Sequence, residues 1–141
     1  MATINTYLSF MGKTEQAFNF YKSVFGGEFV GGIRRFGDMS DNDLMSEADK
    51  QKVMHVGLPI GEGSLLMGTD LLESLGQSLT FGNNYHISIS PKSKEEAIKL
   101  FNGLSSGGTV ISPLETKFWG AYFGAFTDKF GVQWMVNYLQ P

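Results

Sequence analysis

The chain has 141 residues, 42% hydrophobic and 18% charged, enough apolar material for one globular domain, which excludes wholesale disorder. It contains no cysteine and only two histidines, His55 and His86. Disulfides, thiolate metal sites, a cysteine nucleophile and any three-histidine centre built from one chain are therefore excluded. The formal net charge is −3, with 11 Lys+Arg against 14 Asp+Glu, and the closest basic pairing is Arg34-Arg35. That disfavours nucleic acid as a partner, and no stretch approaches the ~20 apolar residues of a membrane span.

The residues Met1-Ala2-Thr3-Ile4-Asn5 carry neither a basic nor an apolar segment of a secretory signal, so the expected location is cytoplasmic. Thr6–Phe10 alternates, with Leu8 and Phe10 on one face and Tyr7 and Ser9 on the other, which predicts a half-buried strand. After Gly12-Lys13, Thr14 is placed to cap a helix, and Glu15 suits the positive end of its dipole. Ala17, Phe20, Tyr21 and Val24 recur at helical spacing, and Gly26-Gly27 stops the helix. Strands are predicted at 28–35, 53–58 and 64–67, the last two joined by a Gly61-Glu62-Gly63 turn. Gly37–Gln51, rich in Asp, Ser and Met, reads as a mobile loop with a short helix. It either closes over a binding site, crosses to a partner subunit, or is a plain surface insertion.

The same order then recurs. Tyr85–Ile89 alternates, with His86 and Ser88 opposite Ile87 and Ile89. Ser93-Lys94-Glu95-Glu96 is a capping box, Ala97, Leu100, Phe101 and Leu104 form a helical stripe, and Gly107-Gly108 ends it. Strands are predicted at 109–112, 122–126 and 133–136, with Asp128-Lys129-Phe130-Gly131 turning between the last two. The chain is thus one domain, 1–141, of two strand–helix–three-strand modules, one over about 3–70 and the other over about 84–138. Each module has a single helix for its sheet, so each leaves one sheet face wanting a partner.

Three segments carry a resemblance to a known family. They are Tyr7–Gly12 with Glu15–Tyr21, then Val53-Met54-His55, then Glu115–Gly120 running to Thr127–Asn137. They resemble the vicinal oxygen chelate superfamily of glyoxalases, bleomycin-resistance proteins and dioxygenases, and within it the PhnB-like branch. The resemblance implies an α+β fold in which two βαβββ modules form an open eight-stranded barrel-like cleft, within a homodimer. In metal-dependent members a divalent metal is held by His, Gln and Glu from the first and last strands of each module.

Carried over residue by residue, that ligand set is mostly missing. His86 matches its position. The equivalent first strand offers Tyr7 or Asn5, the last strand of module one offers Met67 with no carboxylate until Asp70, and Met135 stands where a glutamate is expected. A divalent metal is therefore disfavoured, although His55 and His86 form a candidate metal pair that Glu62, Asp70 or Glu115 can complete. Glu115, beside Phe118-Trp119, is the candidate catalytic residue, a general base prepared by desolvation, or else a surface carboxylate. Tyr7, Arg34, Phe36, Met67, Phe118, Trp119, Tyr122 and Met135 are the candidate ligand-binding residues, because small-molecule sites combine aromatic surface with a few polar groups. Arg34 and Arg35 alternate faces, so one of them can meet an anionic ligand. Two functions remain: a metal-free small-molecule-binding protein, or a metal-dependent lyase, isomerase or dioxygenase-like enzyme.

Overall fold

The computed structural model describes residues 1–39 and 44–140. These fall into two compact units, Met1–Thr80 and Phe81–Pro141. Unit one contains β1 (Thr6–Phe10), α1 (Thr14–Phe25), β2 (Arg34–Arg35), α2 (Glu47–Lys50), β3 (Val53–Ile60) and β4 (Ser64–Asp70). Unit two contains β5 (Ile87–Ile89), α3 (Lys94–Ser105), β6 (Thr109–Thr116), β7 (Ala121–Thr127) and β8 (Gln133–Leu139). Sheet one has the order β1-β4-β3-β2 and sheet two the order β5-β8-β7-β6. In both, the first strand pairs in parallel with the last, and the remaining pairs are antiparallel. The repeat read from the sequence is therefore a repeat of topology, in the α+β class. No helix among the described residues is long and apolar enough to cross a membrane.

Each helix covers one face of its own sheet. In unit one Ala17, Phe18 and Tyr21 of α1 are buried, as are Leu8, Phe10, Val56 and Leu58 on the strands. Gly68 sits under the Phe18 ring, and a Cβ at that position would collide with the ring. In unit two Phe101 of α3 meets Phe126 edge-on at 5.1 Å between centroids, and Gly124 leaves room for the same ring. Trp134, 2% exposed, shares this face with Phe126 and donates its Nε1–H to Asp128 Oδ2 at 2.8 Å. Burying an aromatic ring of this size stabilises by roughly 2–3 kcal/mol, and the indole N–H needs that partner.

The two helices start by different means. Ser93 Oγ accepts from the Glu96 amide at 3.0 Å, as the sequence motif predicts. The reciprocal bond is displaced by one residue, because Glu96 Oε1 accepts from the Lys92 amide at 2.8 Å. Thr14, expected to cap α1, does not cap it. Its hydroxyl donates to Asp70 Oδ1 at 2.6 Å, and its amide donates to the same oxygen at 3.2 Å. The other Asp70 oxygen accepts from the Val53 amide at 2.9 Å. One buried carboxylate from the end of β4 thus satisfies the open N-terminus of α1 and the start of β3.

Most predicted strands lengthen or shorten at an end, and three of these changes have a local cause. The strand expected at 28–35 shrinks to two residues, because Gly31 and Gly32 take φ of +71° and +70° and turn the chain. Glycine takes such angles readily, and two in succession carry the backbone out of the extended conformation. The strand expected from Tyr85 begins at Ile87, and the Gln133 side-chain amide bonds the Tyr85 carbonyl at 2.8 Å in place of a ladder bond. β6 runs on to Thr116 through Pro113, which an edge strand with register shifts tolerates. Of the segment 37–51, a 3₁₀ turn at Phe36–Asp38 and the short α2 are observed, and residues 40–43 lie outside the described residues.

Arg35 reaches the helix side of unit one. Its guanidinium makes a bidentate pair with Glu15 of α1, both N–H···O distances being 3.0 Å, and also donates to the Gln51 carbonyl at 2.9 Å. The hydrogen bond from Arg35, reinforced by its charge, holds the Glu15 carboxyl below its usual range. The Ser74 hydroxyl and then Lys52 act likewise on Asp49.

Two measurements test this framework. Asp70→Ala leaves three donors without their acceptor, and is expected to cost about 3 kcal/mol or more in urea unfolding. A loss below about 1 kcal/mol would show that the carboxylate does not hold these elements. Glu15 titrates lower when folded, so its contribution is complete above the ordinary glutamate value of about 4.3 and disappears as pH falls through the lowered one. The stability difference between wild type and Glu15→Gln should accordingly be largest near neutrality and shrink on acidification. A difference constant between pH 7 and pH 3 would contradict it.

Candidate functional site

Because α1 and α3 each take one face, strand alternation assigns the other face of each sheet to a different set of side chains. In sheet one the β1–β4–β3 register aligns Tyr7, Met67 and Gly57. The Tyr7 hydroxyl and His55 Nδ1 share a hydrogen bond at 3.2 Å, with ring centroids 5.8 Å apart. Arg34 lies opposite His55 in the β2–β3 register. The structure therefore brings Tyr7, Arg34, His55 and Met67 onto one helix-free face. It also settles the Arg34-Arg35 alternation, since Arg35 is engaged with α1. Phe36 lies beyond the end of β2 in the 3₁₀ turn, off the strand register of that face.

In sheet two the helix-free face is set by cross-strand pairs. Met135 pairs with Ser88 on one side and Ala125 on the other, and Asn137 pairs with Phe123. On β6, Ser112 is opposite Ala125 and Glu115 opposite Phe123. His86 immediately precedes β5 and is exposed. Glu115 is also exposed and accepts from Lys117 Nζ at 2.8 Å, while the same ammonium donates to Ser112 Oγ at 3.1 Å. The apolar surroundings that the general-base reading requires are thus not around Glu115. An ion pair with a lysine occupies it instead. Trp119, 54% exposed, meets Phe123 at 5.9 Å and Phe118 at 4.9 Å between ring centroids, both edge-on. Tyr122 belongs to the other face, where Lys94 of α3 lies over its ring at 4.8 Å.

Three residues of this surface were not singled out in the sequence. Lys117 follows Glu115 at the strand period of two, Asn137 follows Met135 likewise, and Phe123 is their neighbour across the sheet. Asn137 Oδ1 is, among the described residues, the one buried side-chain oxygen or nitrogen without a hydrogen-bond partner.

Residues 3–136 match the model of the Glyoxalase/Bleomycin resistance protein/Dioxygenase superfamily. The chain belongs to that superfamily. It is similar to protein PA1353 from Pseudomonas aeruginosa, at 38% identity over all of both chains and a TM-score of 0.86. It is also similar to the PhnB protein from Bacillus cereus, at 28% identity over 97% of this chain and 99% of that one, with a TM-score of 0.76. Protein YjdN of Escherichia coli (strain K12) is 28% identical over 97% of this chain and 95% of its own length. The PhnB-like likeness read from the three sequence segments is upheld by these relatives.

Membership raises the question of a divalent metal, and the residues present do not fit one. Among the described residues no three His, Asp or Glu side chains come together. Of the positions that the resemblance assigns to metal ligands, two hold thioethers, Met67 and Met135, and a third holds the Tyr7 phenol. Thioethers and a neutral phenol are poor partners for a hard divalent ion.

The orphaned oxygen of Asn137 supplies a test of this surface. Asn137→Leu removes a buried unpaired acceptor and keeps the side chain's shape, so it is expected to leave stability unchanged or raise it by about 1 kcal/mol. A loss greater than about 1 kcal/mol in urea unfolding would mean that this amide is satisfied in solution.

Proposed function

We propose that this superfamily member binds a small organic molecule on a helix-free sheet face and does so without a metal. One observation carries the reading. The helix-free faces present phenol, imidazole, indole and hydroxyl groups together with two thioethers, and the thioethers stand at positions that the resemblance assigns to metal ligands. Such a mixture of apolar surface and a few polar groups suits an organic ligand. Each unit has aromatic surface of its own, Tyr7 in unit one and Phe118, Trp119 and Phe123 in unit two. As the resemblance implies, the same reading has the chain paired with a second copy of itself.

The test sets the two functions against each other. The protein is incubated with Zn²⁺ or Ni²⁺, dialysed, and assayed for bound metal, with a His55→Ala/His86→Ala double variant alongside. Thermal unfolding is then followed against a panel of small aromatic compounds in the presence of EDTA. The expected result is metal well below one ion per chain, equal in wild type and variant, and a melting temperature raised by at least one compound despite the chelator. One tightly held ion per chain, lost in the double variant, would overturn this reading in favour of the metal-dependent enzyme.

A further inference from the structure

The helix-free face of sheet one carries hydrogen-bond donors and no acid. Its strand positions are Tyr7 and Ser9 on β1, Met67 and Thr69 on β4, His55 and Gly57 on β3, and Arg34 on β2. The nearest carboxylate in these strands, Asp70, is buried and committed to Thr14 and the Val53 amide. The second arginine of the pair, Arg35, is neutralised by Glu15. Arg34 is exposed, and its guanidinium has no ion pair or hydrogen bond among the described residues. It reaches the turn at Gly31, where a Cβ would stand in ordinary contact with its Nη2 at 3.5 Å.

The Tyr7–His55 pair adds a donor whichever way its shared hydrogen bond runs. A phenol and a neutral imidazole carry one polar hydrogen each, and their mutual bond uses one of them. If the phenol donates to Nδ1, the imidazole proton is on Nε2 and free to donate. If Nδ1–H donates, the phenol O–H is free. Cross-strand partners on one face stand about 5 Å apart at Cβ, so Arg34 and His55 are neighbours.

We propose that this face holds the oxyanion of a small organic acid, a carboxylate or a phosphate monoester, between the Arg34 guanidinium and the free donor of the Tyr7–His55 pair. The inference rests on the small-molecule-binding reading and names the group by which the ligand is held. A planar guanidinium matches two oxygens of either anion, and no acidic side chain of the face competes for it. The same donors repel a cation, so this face is organised for a charge opposite to that of a divalent metal.

The probes are benzoate and phenyl phosphate, with benzamide as the neutral counterpart of benzoate, titrated at constant ionic strength in EDTA. Binding is followed through the His55 ring and Arg34 side-chain NMR signals. Both anions should move these signals saturably and bind more tightly than benzamide, and the tighter of the two identifies the anion. Arg34→Gln should weaken them about 10-fold or more, as expected for loss of a charge-assisted hydrogen bond. Tyr7→Phe and His55→Leu each leave one donor, so only the double variant should lose a further several-fold. Arg34 is exposed, so an unchanged urea midpoint for Arg34→Gln confirms that the fold is intact. Benzamide binding as tightly as benzoate, or anion affinity indifferent to Arg34→Gln, overturns the proposal. If neutral aromatic compounds still bind in EDTA, that failure leaves the broader reading intact. If no compound binds at all, both fall.

Discussion

One helix against one face of each four-stranded sheet is the constraint from which the rest of this structure follows. A strand sends successive side chains to opposite faces, so covering one face fixes the identity of both. Phe18 over Gly68 and Phe101 over Gly124 set how closely each helix approaches. Leu8, Phe10, Val56 and Leu58 must then point towards α1, and Tyr7, His55 and Met67 must point away. In unit two Trp134 and Val136 are buried on the α3 side, which sends Met135 and Asn137 to the other face. The candidate surface of each unit is in this sense what remains when its core has been assigned.

Two buried aspartates fasten this arrangement in parallel ways. Asp70 joins the end of β4 to the start of α1 and of β3. Asp128 accepts from the amides of Phe130 and Val132 and from the Trp134 indole, and so holds the turn between β7 and β8. In each case a carboxylate removed from water is surrounded by three donors, the condition under which burial of a charge is tolerated. The surface ion pairs play a smaller part. Glu15–Arg35 is bidentate and links α1 to β2, but both partners meet solvent, so its contribution is screened.

The two helix-free faces differ in chemistry despite their common topology. Among the described residues, sheet one presents an uncommitted guanidinium beside a phenol–imidazole pair. Sheet two presents a lysine already neutralised by Glu115, an aromatic shelf of Trp119 and Phe123, and an amide oxygen without a partner among the described residues. An internal repeat fixes backbone and core, and leaves positions away from the helix free to diverge, because no packing partner within the module constrains them.

The amino-acid sequence by itself determined the repeat, the α+β class, the two helices with their double-glycine stops, and the face of Tyr7. These are local properties, set by periodicity and turn chemistry within a few residues. It also revealed the mismatch with a metal-binding set, since that depends only on which residue stands at which strand position. Tertiary structure alone decided that Thr14 gives its hydroxyl to Asp70, 56 residues away, instead of capping α1. It alone decided that Arg35 turns to Glu15 and leaves Arg34 beside His55, that Tyr122 lies beneath Lys94, and that Lys117 occupies Glu115. Each of these is a competition among several possible partners. The outcome depends on which groups the fold brings within about 3 Å, a distance that sequence spacing does not encode.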